Sequence, residues 1–389
     1  MKKNILITTY FFFPTNSPRA FRITALAKKF AEKGHNVTVL TADIGYDYTH
    51  LEKDLDITII TVKTGYVLNR ATNTVMNTPA NNHKSSKAGL FRTIKKAIRK
   101  TMLYLIPDAH IFEYSIRLKN KLKKLELNGY DVIISNSHPF SVHIGTAMAM
   151  KSYNNISIAE SGDPHYFNYN KLAFYQKNIE KWVLSQFTYI SIPLDKALDD
   201  YRHLGVSSKV SVIPHGFDFS NVKLFELKSQ NDEIVKFAFA GRLYKNLRDP
   251  SHFLDYLVKK ANEINFIFTI YTDFNNRETM DLLLPYKKKL GEKLIINPLV
   301  PREECIYLLS SNDFLINISN VSENQSPSKL IDYTLTKKPI ISISHHFLEK
   351  EEFESFCKKD YSNYLPQDIS QFNIDVIYDK FETLFKKDK

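Results

Sequence analysis

Short runs rich in Ile, Val, Phe and Thr recur along the whole chain, and stretches with helical apolar spacing lie between them. No other feature restricts the fold as much. A strand that feeds a crossover helix returns to start a parallel neighbour, and parallel sheets carry helices on both faces. Strands are expected at 4–10, 36–41, 57–62, 131–135, 156–160, 188–192 and 210–213, with helices at 18–33, 111–127, 140–151 and 171–186. Ile213-Pro214-His215-Gly216-Phe217-Asp218 then turns the chain, and polar residues 227–234 follow. A second series runs through Val235–Ala240, 265–271, 293–297, 313–318 and 339–343, ending in a helix over 369–386. The expected class is α/β with two doubly wound domains, 1–215 and 216–368, and a terminal segment 369–389 that packs back on the first. A chain of 389 residues, 43% hydrophobic, can bury two cores of ordinary size.

Several classes fall away early. No G-x-G-x-x-G follows the first strand and no G-x-x-x-x-G-K-[ST] occurs, which argues against nicotinamide dehydrogenases and P-loop enzymes. Cys305 and Cys357 imply no disulfide framework and offer no metal-ligand spacing, so a reducing cytoplasm is expected. Met1-Lys2-Lys3 and Ile5–Phe13 resemble a signal peptide superficially. Thr8, Thr9, Arg19 and Arg22 argue for a first strand instead. Formal net charge is +11, and residues 84–124 hold twelve Lys/Arg against Asp108 and Glu113, or +10. Leu90, Phe91, Ile94, Ile98, Met102, Leu103 and Leu105 recur beside those cations at helical spacing. A basic amphipathic stretch suits an anionic membrane surface, which would place the protein peripherally on the inner face of the cell membrane. Nucleic acid and a merely solvated helix face are the competing readings; no nucleic-acid partner is expected.

Residues 313–343 form a strand–loop–helix–strand unit with chemistry at its centre. Ser326 stands at an N-cap position and Pro327 at the first helical one. Free N–H groups, Ser328 and Lys329 would draw a phosphate to that helix start. Asp332, one turn on, suits a sugar hydroxyl. In the same domain, Gly241 ends a strand and Arg242, Lys245 and Arg248 crowd the following loop, cations suited to a diphosphate. The first domain repeats the device with Ser17-Pro18, followed by Arg19 and Arg22 one turn apart. Strand-end loops also present His138, Asp163 and His165 as acid/base or hydroxyl-binding candidates, whereas His143 reads as a packed residue.

Gly34-His35-Asn36-Val37-Thr38-Val39-Leu40-Thr41, Val212–Asp218, Gly241-Arg242-Leu243 and Ser326–Tyr333, in this order, resemble the group 1 glycosyltransferases. These are retaining enzymes of GT-B architecture, two Rossmann-like domains with a cleft between them. The resemblance implies a nucleotide-diphosphate-sugar co-substrate, UDP-sugar foremost, with no other cofactor and no metal. It implies a glycan or lipid-linked acceptor, in capsule or lipopolysaccharide synthesis. Carried over by position, Arg242, Lys245 and Lys329 would stabilise the leaving diphosphate, with His138 or Asp163 orienting hydroxyls. Gly241, Arg248, Glu323, Asn324, Gln325, Ser326, Ser328, Leu330 and Asp332 would complete the donor site. Asp332 replaces the second Glu of the family's E-x7-E motif, and the first falls at Asn324 beside Glu323. Ser17, Arg19, Arg22 and His165 would meet the acceptor. A nucleotide-sugar epimerase of the same architecture and a non-catalytic nucleotide-sugar-binding scaffold remain as alternatives.

Overall fold

The computed structural model describes residues 1–15, 17–65, 101–102, 104–109, 111–168, 173–220, 222–226, 233–245, 248–319 and 328–386. The chain packs as two units, Met1–Phe217 with Gln371–Lys389, and Asp218–Ser370.

The first unit holds β1 (Asn4–Thr8), β2 (Asn36–Asp43), β3 (Ile57–Lys63), β4 (Val132–Ser137), β5 (Ile156–Ser161), β6 (Tyr189–Ile192) and β7 (Val210–Val212). They form one parallel sheet in the order β3-β2-β1-β4-β5-β6-β7. The central strands are apolar on both faces, with Ile5, Leu6, Ile7, Val132, Ile133 and Ile134 all fully buried, because helices cover both sides. The Pro18–Glu32 helix buries Ala20, Ile23, Leu26, Ala27 and Phe30. Against the same core lies the Ile374–Lys386 helix, through Ile374, Ile377, Phe381, Leu384 and Phe385. Its approach leaves no room at Gly216, where a methyl group would sit 2.8 Å from the Ile374 side chain.

The second unit holds β8 (Val235–Ala240), β9 (Phe266–Thr272), β10 (Leu294–Pro298), β11 (Phe314–Ile318) and β12 (Ile340–Ile343), parallel in the order β10-β9-β8-β11-β12. Phe237 on β8 is in register with Phe268 on β9 and Phe314 on β11, and the rings stack at 4.9 and 5.0 Å. Such pairs contribute about 0.5–1.5 kcal/mol each beyond area burial, so they help fix the register of the strands that carry the site.

In each sheet the strand order reverses beside the first strand: β1 lies between β2 and β4, and β8 between β9 and β11. Loops there diverge to opposite faces and leave a crevice outside the carboxyl ends of the strands, where ligands bind in open parallel sheets. Short helices such as Thr49–Leu55, His165–Asn168 and Leu198–Leu204 lie where the sequence reading placed none. Among the described residues no helix is long and apolar enough to cross a membrane.

Candidate functional site

At the β8/β11 switch point the second unit assembles a cation cluster. Gly241 directly follows β8; its φ of +136° suits glycine alone, and a methyl group there would lie 2.7 Å from the Lys329 ammonium nitrogen. The second unit therefore requires glycine at this position twice over. Lys329 reaches the position because its helix, Ser328–Leu335, is tied to the end of β8: the Ala240 N–H donates to the buried Tyr333 hydroxyl at 2.7 Å. The Lys329 ammonium lies 4.1 Å from the Phe239 ring centroid, shut off from solvent, with no hydrogen-bond partner among the described residues. Burial, and then Arg248, push its pKa well below the ordinary lysine value.

The loop after Gly241 is held rather than slack. The Leu243 N–H donates to Thr279 Oγ1 at 3.2 Å, and that hydroxyl donates back to the Leu243 carbonyl at 2.8 Å. The Lys245 N–H donates to Glu278 at 3.0 Å. Arg242 is half exposed and donates through Nε (3.1 Å) and Nη2 (2.8 Å) to Asp273. Arg248 Nη1 donates to the Arg242 carbonyl at 3.2 Å, which brings its guanidinium back toward the strand end. Burial lowers the Arg248 pKa. Lys329, Arg248 and Arg242 thus crowd one strand end, where Asp273 pairs with Arg242. Cations gathered so closely are suited to an anion.

The first unit gathers polar groups at the ends of β1, β4, β5 and β7. Ser17 caps the Pro18–Glu32 helix by accepting from the Ala20 N–H at 3.2 Å. Arg22, one turn after Arg19, is half-buried, and its Nε is shut off from solvent with no hydrogen-bond partner among the described residues. A narrow cavity is lined by Arg22, Asn136, Glu160 and His215, with the apolar side chains of Ile374 and Phe381. Glu160 accepts from Asn136, and its carboxylate lies 3.9 Å from His215 Nδ1. Burial raises the Glu160 pKa against the opposing pull of Arg22. Burial, then Arg22 and Arg19, push His215 well below the usual histidine value. His138 Nε2 lies 3.7 Å from Asp163 Oδ2, and burial, with Arg19 next, pushes its pKa down to about 4. Both imidazoles are neutral at pH 7, so they can serve as acceptors or single donors toward a hydroxyl, not as cations.

The model of Glycosyltransferase Family 4 matches residues 20–221, more than half of the chain. This chain belongs to glycosyltransferase family 4. No curated protein matches the sequence. Among solved structures, Anabaena Alr3699/HepE in complex with UDP and glucose matches with a TM-score of 0.61 at 12% identity, over 99% of this chain and 100% of that one. A glycosyltransferase from Rickettsia africae ESF-5 matches with 0.61 at 14% identity, over 99% and 98% of the two chains. The lipopolysaccharide outer core galactosyltransferase WaaB matches with 0.57 at 10% identity, over 98% of each. At these identities the likeness is one of fold, and the fold is GT-B.

Within this family member the expected donor residues do not all stand together. Gly241, Arg242, Arg248 and Lys329 share one strand end, and Leu330 follows Lys329 on the helix. Lys245 is exposed and tethered through its backbone. Asp332 departs from expectation: Arg302 holds it at 2.8 and 2.7 Å, so its carboxylate is already paired where a ribose hydroxyl was anticipated. Burial nonetheless raises its pKa, with Arg302 opposing. Glu323, Asn324, Gln325 and Ser326 lie outside the described residues, as does the Ser328 side chain.

His165, read as an acceptor contact, turns inward. Its ring stacks on Phe140 at 4.6 Å, Nε2 meets Gln176 at 3.1 Å, and its backbone N–H donates to Glu180. An aromatic face was available in the core, and burial of the ring with a hydrogen-bond partner won. His143 is packed, bridging Ser135 and Ser161 at 2.8 and 3.2 Å. Sequence reasoning missed Asn136, Glu160 and His215. Glu160 had a signal: a carboxylate two residues after buried Ile158 and next to Ala159 in a parallel strand has to face something polar.

Proposed function

We propose that this protein transfers a sugar, with retention at the anomeric carbon, from a UDP-sugar to a glycan or lipid-linked acceptor of a bacterial surface polysaccharide. The observation that carries the reading is the Lys329 ammonium, buried without a hydrogen-bond partner among the described residues, beside Gly241, Arg242 and Arg248. An ammonium placed so gains most from an anion that develops charge during the reaction. Breaking the bond between the anomeric carbon and a diphosphate does this, as negative charge grows on the leaving oxygen and positive charge on the sugar ring. Donors fixed in place before the reaction stabilise that charge without reorganising, a term of about 3 kcal/mol per contact. Protein cations supply the charge at the leaving group, so the proposed reaction needs no metal. Arg22, Glu160, His215 and the His138–Asp163 pair offer neutral and charged hydrogen-bonding groups for the acceptor and the transferred sugar.

The surface-glycan part of the reading draws on the likeness to WaaB, described as a lipopolysaccharide outer core galactosyltransferase. Attachment to an anionic membrane is proposed for residues 84–124. Residues 84–100 lie outside the described residues, but the end that follows them exposes Met102, Tyr104 and Leu105. The Tyr104 carbonyl accepts from the Ala173 N–H and from Gln176, next to Phe174, which is 78% exposed. An apolar patch beside a basic stretch suits a lipid interface.

Incubation of the protein with a panel of UDP-sugars in EDTA, with and without lipid-linked glycans, tests this directly. Acceptor-dependent UDP release with an axial-to-axial or equatorial-to-equatorial outcome supports the reading. Sugar isomerised without acceptor would reassign the enzyme as an epimerase, and no UDP release with any acceptor would leave it a binding protein.

A further inference from the structure

Three histidines from distant parts of the second unit meet at one point. His252 is the second residue of the Ser251–Lys260 helix, and His345 and His346 occupy the turn after β12. One ring nitrogen from each lies within 4.8 Å of the others, with ring centroids 5.0–5.8 Å apart. Among the described residues no hydrogen bond to protein holds any of the three rings, and His345 Nδ1 is shut off from solvent without a partner.

The backbone that carries them is fixed from below. Phe253 and Phe347, each the next residue after one of the histidines, are buried and pack ring to ring at 4.9 Å. The turn itself is closed by the Phe347 N–H donating to the Ser344 carbonyl at 3.0 Å, and Glu349 accepts from the Ser344 N–H at 3.1 Å. A helix start and a turn are thus clamped together by the core while their imidazoles face one another above it.

We propose that His252, His345 and His346 form a site for a divalent transition-metal ion, zinc or a neighbour with the same preference for imidazole. Nitrogen donors without thiolate or carboxylate suit Zn²⁺, Ni²⁺ and Cu²⁺ over Mg²⁺ or Ca²⁺. With Zn–N bonds of about 2.0–2.1 Å in a tetrahedral shell, ligand nitrogens stand about 3.4 Å apart. Closing from the spacing seen needs shifts of about 1 Å, within the reach of the exposed His252 and His346 side chains. Three protein ligands leave a coordination position for water or another small ligand. The ion would clip the helix that follows the Arg242–Arg248 loop to the turn after β12, and the inference holds whether or not the donor reading does.

The test uses untagged full-length protein stripped with a chelator and titrated with Zn²⁺ by calorimetry, and with Co²⁺ by visible absorption. One ion bound per chain is expected, with the ligand-field spectrum of a low-symmetry nitrogen site. His252→Ala, His345→Ala and His346→Ala should each weaken binding at least ~10-fold. Their melting temperatures without metal should match the parent, which separates loss of a ligand from loss of the fold, and Zn²⁺ should raise the parent's melting temperature alone. Binding by the triple variant as tight as by the parent would overturn the site, since it would place the ion on the other histidines. Absence of saturable binding would overturn it equally.

Discussion

Replacing Lys329 by Met removes a charge and keeps most of the volume, so it separates what the ammonium costs the fold from what it gives the reaction. A buried donor left without a partner costs about 1–3 kcal/mol. The Phe239 ring at 4.1 Å offsets part of this, about 0.5–2 kcal/mol. The variant should therefore be more stable by about 1 kcal/mol, a rise in melting temperature of about 2–4 °C for a unit of this size. Turnover should fall by about 10²–10³-fold, the loss of one preorganised contact to the leaving group. The pH dependence has a sign of its own. Burial lowers the Lys329 pKa in the folded chain. Between that value and the ordinary lysine pKa the unfolded chain binds more protons, so the parent's stability rises with pH in this window. The variant should lack that rise. Scanning calorimetry across pH and acceptor-dependent UDP release measure both quantities. A variant that melts lower than the parent while turning over at the same rate would refute the reasoning.

Other substitutions probe the supporting groups. Gly241→Ala should cost about 1–3 kcal/mol in stability, from the φ of +136° and the methyl 2.7 Å from the Lys329 nitrogen, and should weaken UDP binding measured by calorimetry. His138 is depressed to about 4, so the folded chain resists protonation while the unfolded chain accepts it. That difference costs the parent about 3 kcal/mol as pH falls from the ordinary histidine value to 4, and His138→Asn should flatten this acid limb in urea titrations by a similar amount. Arg302→Ala should strip Asp332 of its partner and lower the melting temperature of the second unit. Arg302→Ala with Asp332→Asn should recover much of that loss, if the pair is a structural tie.

Among the described residues, all twelve strands fall where the β-branched runs placed them, within two residues at either end. Two-sided burial makes such runs conspicuous, since nothing polar interrupts Ile5–Ile7 or Val132–Ile134. Thr49–Leu55 escaped because it buries no side chain and so shows no stripe. At the site, the cations after Gly241 were legible, since Arg242, Lys245 and Arg248 lie close together in the sequence. The burial of Lys329 was not, because it depends on Tyr333 tying one helix to the end of a strand ninety residues earlier in the chain. The Arg302–Asp332 pair and the His252–His345–His346 cluster are likewise products of the fold, formed between segments whose spacing carries no motif. His165 shows the converse: a strand-end loop position says that a histidine is near the crevice, and only packing says which way its ring turns.

The central claim is that the Lys329 ammonium and its neighbouring guanidinium groups receive the diphosphate of a nucleotide. A crystal structure with UDP bound tests it most directly. The account predicts a diphosphate oxygen about 3 Å from Lys329 Nζ, with Arg242 or Arg248 on the same group. A diphosphate seated elsewhere, with that nitrogen still facing only Phe239, would contradict it.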